Sequence, residues 1–99
     1  MANYKVIGGN LLTQEELDTL KRLLDEYEVK IKLFITDYLL EIHIKQYDTT
    51  GKRKRYCLTA KIKVPRIMFE TEVMDWDFTV VIHKSMKKLL TEMKNKFRK

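Results

Sequence analysis

Three stretches of alternating apolar and polar residues constrain the fold of this chain more than any other feature. They occupy residues 38–44, 55–64 and 67–73. A period of two places the apolar side chains of each stretch on one side of a β-strand. Three such strands predict an antiparallel sheet with one face that must be covered and one face that meets water.

The residues around these strands supply boundaries and a first helix. Residues 48–51, DTTG, predict a turn, and Pro65-Arg66 ends the second of the three strands. An earlier short strand is predicted in YKVIGG, which the following Gly8-Gly9-Asn10 stops. Thr13 and Glu16 form a capping box, and the apolar spacing after it predicts a helix from about residue 14 to about residue 28.

Residues 29–36, VKIKLFIT, fit two conformations. Their apolar residues at odd positions alternate as in a strand, whereas Ile31 and Phe34 also continue the helical spacing from Tyr27. The pattern alone leaves both conformations open.

The last eighteen residues, IHKSMKKLLTEMKNKFRK, carry seven positive charges and one negative charge. On a helix over residues 78–98, the apolar residues fall within an arc of about 100°. These residues are Phe78, Ile82, Met86, Leu89, Met93 and Phe97. The opposite side carries Lys84, Lys87, Lys88, Lys94, Arg98 and Lys99. One face is therefore expected to pack on the sheet while the other presents cations to solvent.

The predicted element order is β-α-β-β-β-α. It describes an α+β two-layer sandwich, in which two helices cover one face of a four-stranded, mainly antiparallel sheet. A chain of 99 residues with 44% hydrophobic residues is sufficient for one domain, which we expect to span residues 1–99.

Charge is distributed unequally along the chain. Residues 1–50 hold six Lys or Arg and nine Asp or Glu, whereas residues 51–99 hold fourteen and five. This asymmetry predicts a cationic surface for a polyanion such as nucleic acid, although solubility and helix-dipole compensation are simpler alternatives. The candidate RNA-binding residues are Lys84, Lys87, Lys88, Lys94 and Arg98, joined by Lys52, Arg53, Lys54 and Arg55 if that loop lies nearby.

Three segments, GGNLLT, AKIKVPRIMF and DFTVVIHKSMKKL, together with the element order, resemble the short ribosome hibernation-promoting factors. This family comprises ribosome-associated inhibitors related to protein Y and the sigma-54 modulation proteins. Its second helix opens with a motif of the form Asp-Met-Tyr-Ala-Ala-Ile-Asp, followed by a Lys-Leu pair. The residues at those places are Asp77, Phe78, Val80, Val81, Ile82, Lys88 and Leu89.

The resemblance implies a cytoplasmic, non-enzymatic protein that binds ribosomal RNA of the small subunit and inhibits translation under stress. It places Lys88 and Lys94 at basic positions of the family's second helix. Two other classes remain open from the residues themselves: a generic double-stranded-RNA-binding module and an interaction domain for an acidic protein.

Catalytic and metal-binding sites are not predicted. His43 and Cys57 fall by strand parity on the outer sheet face, whereas His83 falls on a helix on the other side. We expect no cofactor, no small-molecule substrate and no membrane association, because no apolar run approaches the ~18 residues of a membrane span.

Overall fold

The computed structural model describes residues 4–48 and 54–97 and confirms the predicted element order. A short 3₁₀ turn, Gly9–Leu11, follows the first strand. The strands are β1 (Tyr4–Ile7), β2 (Leu39–Asp48), β3 (Lys54–Val64) and β4 (Ile67–Asp75), and the helices are α1 (Gln14–Ile31) and α2 (Phe78–Phe97).

The four strands form one mixed sheet in the order β1-β2-β3-β4. The β1–β2 pair is parallel, and the other two pairs are antiparallel. A parallel pair requires a crossover, which α1 provides. Strands β1 and β4 point in the same direction. Helix α1 follows β1 and helix α2 follows β4, and each runs back across the same face of the sheet. The two helices are therefore parallel.

The core lies between the helix layer and the sheet, and α2 contributes the predicted apolar stripe. Five of its six residues are at most 7% exposed, and the side chain of the sixth, Phe97, lies outside the described part. The buried face is wider than the predicted arc, because Val81, Ser85 and Leu90 are buried as well. A wider face is needed because α2 packs against α1 on one side and β4 on the other.

Both helices begin at the residues that the sequence indicates. The Thr13 hydroxyl accepts a hydrogen bond from Glu16 N at 3.1 Å, and Glu16 Oε1 accepts one from Thr13 N at 3.0 Å, which completes the capping box. Asp77 Oδ1 accepts a hydrogen bond from Val80 N at 3.2 Å at the start of α2. These side chains satisfy amide groups that no helical carbonyl reaches.

Gly8 ends β1 in a backbone conformation that other residues rarely adopt, with φ of 90°. A Cβ atom on Gly8 would lie 2.3 Å from the carbonyl oxygen of Ile44 on β2. The predicted stop after β1 is therefore a position where only glycine fits both the dihedral angle and the close approach of two backbones.

Residues 29–36, whose conformation the sequence pattern left undecided, are helical up to Ile31 and irregular after it. Helix α1 continues to Ile31, three residues beyond its predicted end, because Ile31 is fully buried on the core side. A tight turn follows, with Phe34 N donating to Ile31 O at 2.9 Å. Leu33 in this turn is 80% exposed. The strand alternative for residues 29–36 is wrong.

Candidate nucleic-acid interface

The carboxyl-terminal halves of α1 and α2 lie side by side, because the two helices are parallel. The Tyr27 hydroxyl and His83 Nδ1 are 2.7 Å apart, and the two rings meet edge to face at 5.7 Å between centroids. This contact joins the end of α1 to the first half of α2. It brings lysines that are far apart in the sequence to one end of the helix layer.

Four exposed lysines lie in or beside these two halves, and we call them the cationic cluster: Lys30, Lys87, Lys88 and Lys94. Lys30, Lys87 and Lys94 line one groove between the helices, whereas Lys88 lies one helical turn from both Lys84 and Glu92, on the side of α2 that faces β4. Within residues 4–48 and 54–97, none of the four forms an ion pair with a carboxylate. Lys30 Nζ lies 5.2 Å from the centroid of the Tyr27 ring. The cluster therefore presents ammonium groups whose charge the described residues do not neutralise.

Lys84 differs from the other predicted α2 cations. Its Nζ lies 3.1 Å from Asp75 Oδ2 and donates a hydrogen bond to it. The pKa of Asp75 is lowered first by the hydrogen bond from Asp77 N, at 3.1 Å, and next by Lys84. Lys84 therefore stabilises the corner between β4 and α2, and its charge is locally compensated.

The basic loop before β3 is only partly described, since Lys52, Arg53 and the carboxyl-terminal Arg98 lie outside the described residues. Lys54 and Arg55 begin β3, at the end of the sheet near the start of α2. The Arg55 guanidinium lies 5.8 Å from the centroid of the Trp76 ring. Arg55 alternates with Tyr56, which faces the helices, so Arg55 is on the opposite face of the sheet from the cationic cluster.

The outer sheet face also carries lysines, but acidic neighbours compensate two of them. Lys63 Nζ is 3.0 Å from Glu41 Oε2, and Lys61 Nζ is 3.5 Å from Glu70 Oε2. The hydrogen bond from Lys63 is the largest cause that lowers the pKa of Glu41. Cross-strand pairs of opposite charge of this kind suit a solvated surface. The charges of Lys61 and Lys63 are therefore locally compensated, unlike those of the cationic cluster.

Two cationic residues at this end of the molecule are absent from the sequence prediction. Lys30 falls in the segment whose conformation the pattern left open, and its place beside α2 follows only once α1 extends to Ile31. Arg66 lies in the β3–β4 turn with φ of 79°, the one left-handed non-glycine residue that the described backbone contains. That turn lies near the end of α2, because Met68 and Lys96 line one depression.

The side chains that suggest chemistry do not converge. Cys57 is 2% exposed, and its pKa is raised mainly by burial and next by Glu72, so the thiol stays protonated. His43 lies beside Glu41 on the outer sheet face, at 3.7 Å, whereas His83 contacts α1. Across the described residues no cluster of three or more His, Cys, Asp or Glu is arranged to hold a metal ion.

Neither helix, over the residues that the structure covers, is long and apolar enough to cross a bilayer. The described residues present a cationic cluster at one end of the helix layer and a sheet face of mixed charge.

The β-α-β-β-β-α sandwich is a fold that this chain shares with two solved structures. The crystal structure of the N-terminal domain of Thermus thermophilus protein Y matches with a TM-score of 0.64 and 20% identity, covering 96% of this chain and 98% of that chain. The structure of a ribosomal subunit interface protein from Coxiella burnetii matches with a TM-score of 0.62 and 17% identity, covering 97% and 98%.

These similarities confirm, at the level of the fold, the resemblance that the sequence motifs indicate. No protein-family model matches the chain, and no curated protein matches it significantly.

Proposed function

We propose that this protein binds the small ribosomal subunit through the phosphates of ribosomal RNA and inhibits translation without catalysing a reaction. The observation that carries the proposal is the cationic cluster, unpaired within the described residues, on a fold shared with a protein Y domain and a ribosomal subunit interface protein. Such a protein acts in the cytoplasm, where ribosomes are found.

Electrostatics supports a polyanionic partner for the cluster. Lysines close together on one surface repel each other, so the arrangement costs stability unless an anion lies against it. Each phosphate that a lysine neutralises also releases condensed counterions, which contributes to binding at low salt. The outer sheet face lacks this driving force at Lys61 and Lys63, because carboxylates already neutralise both side chains.

Lysine contacts position a protein on RNA but do not read its sequence, since an ammonium group is a point charge without bidentate geometry. The shape of the domain would then select the location on the ribosome. A protein of this size bound in the channel of mRNA and tRNA would exclude both ligands sterically. Inhibition of translation in this proposal needs no active site.

The test is co-sedimentation with separated ribosomal subunits. The triple variant Lys87→Glu/Lys88→Glu/Lys94→Glu should lose small-subunit binding near physiological salt. Lys84 stays unchanged, because reversing its charge would set it against Asp75 and destabilise the start of α2. The matched control changes three exposed lysines outside the cluster by the same total charge: Lys5→Glu/Lys21→Glu/Lys45→Glu.

The control variant should sediment with the small subunit as the wild type does. The slope of log affinity against log salt concentration should be smaller in magnitude for the cluster variant than for the wild type by about three. This is about one for each lost phosphate contact. Equal loss of binding in both triple variants would mean that net charge, not the cluster, determines association. Retained binding of the cluster variant would refute the proposal.

Duplex RNA without ribosomes separates this function from a generic double-stranded-RNA-binding module. We expect a 20-base-pair duplex, about the span such modules cover, to compete poorly with small subunits. Competition at comparable affinity would assign the cluster to RNA duplexes in general.

A further inference from the structure

A groove of about 520 Å³ runs between the end of α1 and the second half of α2. Its floor is apolar and comes from Tyr27 and Leu90, which are 4% and 8% exposed. The turn after α1 forms one wall, with Leu33 and Phe34. Three members of the cationic cluster line the same groove: Lys30, Lys87 and Lys94.

The two aliphatic or aromatic residues of the wall are unusually exposed for their type. Leu33 is 80% exposed and Phe34 is 38% exposed. An apolar wall rimmed by charges is typical of a surface that a partner covers. The buried floor belongs to the two packed helices, and the turn after α1 adds the exposed apolar wall.

The chemistry of the groove favours a peptide over nucleic acid. Phosphates would satisfy the three lysines, but a hydrated sugar-phosphate backbone does not complement the aliphatic side chain of Leu33. A segment with an apolar side chain flanked by carboxylates satisfies both parts at once: the apolar group lies against Leu33 and Phe34, and the carboxylates meet the ammonium groups.

A second copy of the chain fits less well. A symmetric contact through this groove would place Lys30, Lys87 and Lys94 of one copy close to the same lysines of the other. The like charges would oppose each other across the contact. A neighbouring depression, lined by Glu70, Glu92 and Lys96, has mixed charge and does not share this preference.

We propose that the groove is a docking site for a short acidic amphipathic segment of a partner protein. Leu33 and Phe34 provide the apolar contact, and Lys30, Lys87 and Lys94 hold the flanking carboxylates. The proposal does not depend on ribosome binding. Because Lys87 and Lys94 also belong to the candidate RNA surface, RNA and the acidic segment would compete for the protein.

The experiment uses the whole chain as bait for a displayed random library of peptides about 12 residues long, enough for three helical turns. Enriched peptides should combine Leu, Ile, Phe or Trp with two or more Asp or Glu. Their affinities are then measured by fluorescence anisotropy against three proteins: the wild type, Leu33→Ser and Val29→Ser. Val29 is the matched control, since it is an apolar residue that is 66% exposed in the last turn of α1 but does not line the groove.

Leu33→Ser should weaken the enriched peptides at least about tenfold, whereas Val29→Ser should leave them unchanged. Leu33→Ser keeps the cationic cluster, so its ribosome co-sedimentation should remain normal. This difference separates failure of the groove proposal from failure of the ribosome proposal.

Three outcomes would overturn the docking site: no enrichment, enrichment of peptides without acidic residues, or enriched peptides that bind Leu33→Ser as well as the wild type. Circular dichroism of Leu33→Ser shows whether the variant is folded, and an exposed turn residue is not expected to affect folding. If small subunits displaced no enriched peptide, the two ligands would use separate surfaces, and the shared role of Lys87 and Lys94 would be wrong.

Discussion

Tyr56→Phe tests whether one hydrogen bond between the helix layer and the sheet behaves as its geometry predicts. The Tyr56 hydroxyl donates to Glu16 Oε2 at 2.5 Å. The other oxygen of the same carboxylate accepts the Thr13 amide of the capping box. The ring of Tyr56 also packs against Phe78 at 5.2 Å between centroids, and phenylalanine preserves that contact. The substitution therefore removes the hydroxyl and little else.

The pKa of Tyr56 provides the magnitude and the sign. The pKa of Tyr56 is raised from 10.0 to about 12. The largest cause is the hydrogen bond to Glu16, followed by burial and by the charge of Glu16. A shift of this size corresponds to about 3 kcal/mol before solvent screening. Tyr56 is only partly buried, so solvent screening reduces the contribution, and we expect about 1 kcal/mol. The stabilisation is complete below the unfolded pKa and is lost as the pH rises through the folded pKa.

The assay is urea denaturation of the wild type and Tyr56→Phe between about pH 8 and pH 11. Tyr56→Phe should be less stable by about 1 kcal/mol at the lower end, and the gap should close toward the upper end. Tyr47→Phe is the control, since Tyr47 is 44% exposed on the outer sheet face. A gap that is absent at pH 8, or that stays constant to pH 11, would refute the reasoning.

Two further substitutions test buried and strained positions. The buried Ser85 hydroxyl has no hydrogen-bond partner within the described part, so Ser85→Ala should raise the unfolding free energy by roughly 1 kcal/mol and Tm by about 4–8 °C in calorimetry. A loss of stability would show that this hydroxyl is satisfied. Arg66→Gly should relieve the left-handed φ of 79° and stabilise the protein by roughly 0.5–1 kcal/mol in urea denaturation, while weakening co-sedimentation with small subunits. A destabilised Arg66→Gly variant would mean that the arginine side chain contributes more than its backbone costs.

The alternation of apolar and polar residues along each strand predicts much of this fold. A register error of one residue would turn every apolar side chain of a strand toward water, so the pattern decides which side faces the core. Ile42, Leu58 and Ile62 are at most 1% exposed, as their alternation requires. Parity also places Cys57 on the outer face. It does not predict that Cys57 is 2% exposed there, since coverage depends on neighbours in adjacent strands such as Lys45 and Met74.

The candidate site is less predictable, because its composition depends on tertiary contacts. The end of α1 is decided by the burial of Ile31, and without that contact Lys30 cannot be placed beside α2. Lys84 and Lys87 look equivalent on a helical projection, yet only Lys84 meets a carboxylate. Its partner Asp75 lies nine residues earlier, at the end of a strand. Helical spacing contains no information on such a corner contact.

The parallel helices also explain why a largely acidic α1 is compatible with a cationic site. Glu15 and Glu16 at the start of α1 share a depression with Asp77 at the start of α2, so both positive helix ends meet carboxylates. Lysines near the other ends complement the negative dipoles in the same way, and Lys94 in the last turn of α2 needs no further explanation. That effect fades within one turn of a helix end.

Lys87 lies more than two turns before the end of α2, where the helix dipole gives a lysine no advantage. It nevertheless lies on the same side as Lys94, facing the groove beside Lys30. Three lysines from two helices thus lie close together, although the helix dipoles favour only Lys30 and Lys94, which are in the last turns. The helix dipoles therefore do not account for the position of Lys87, whereas the proposed anionic partner at this end of the molecule would.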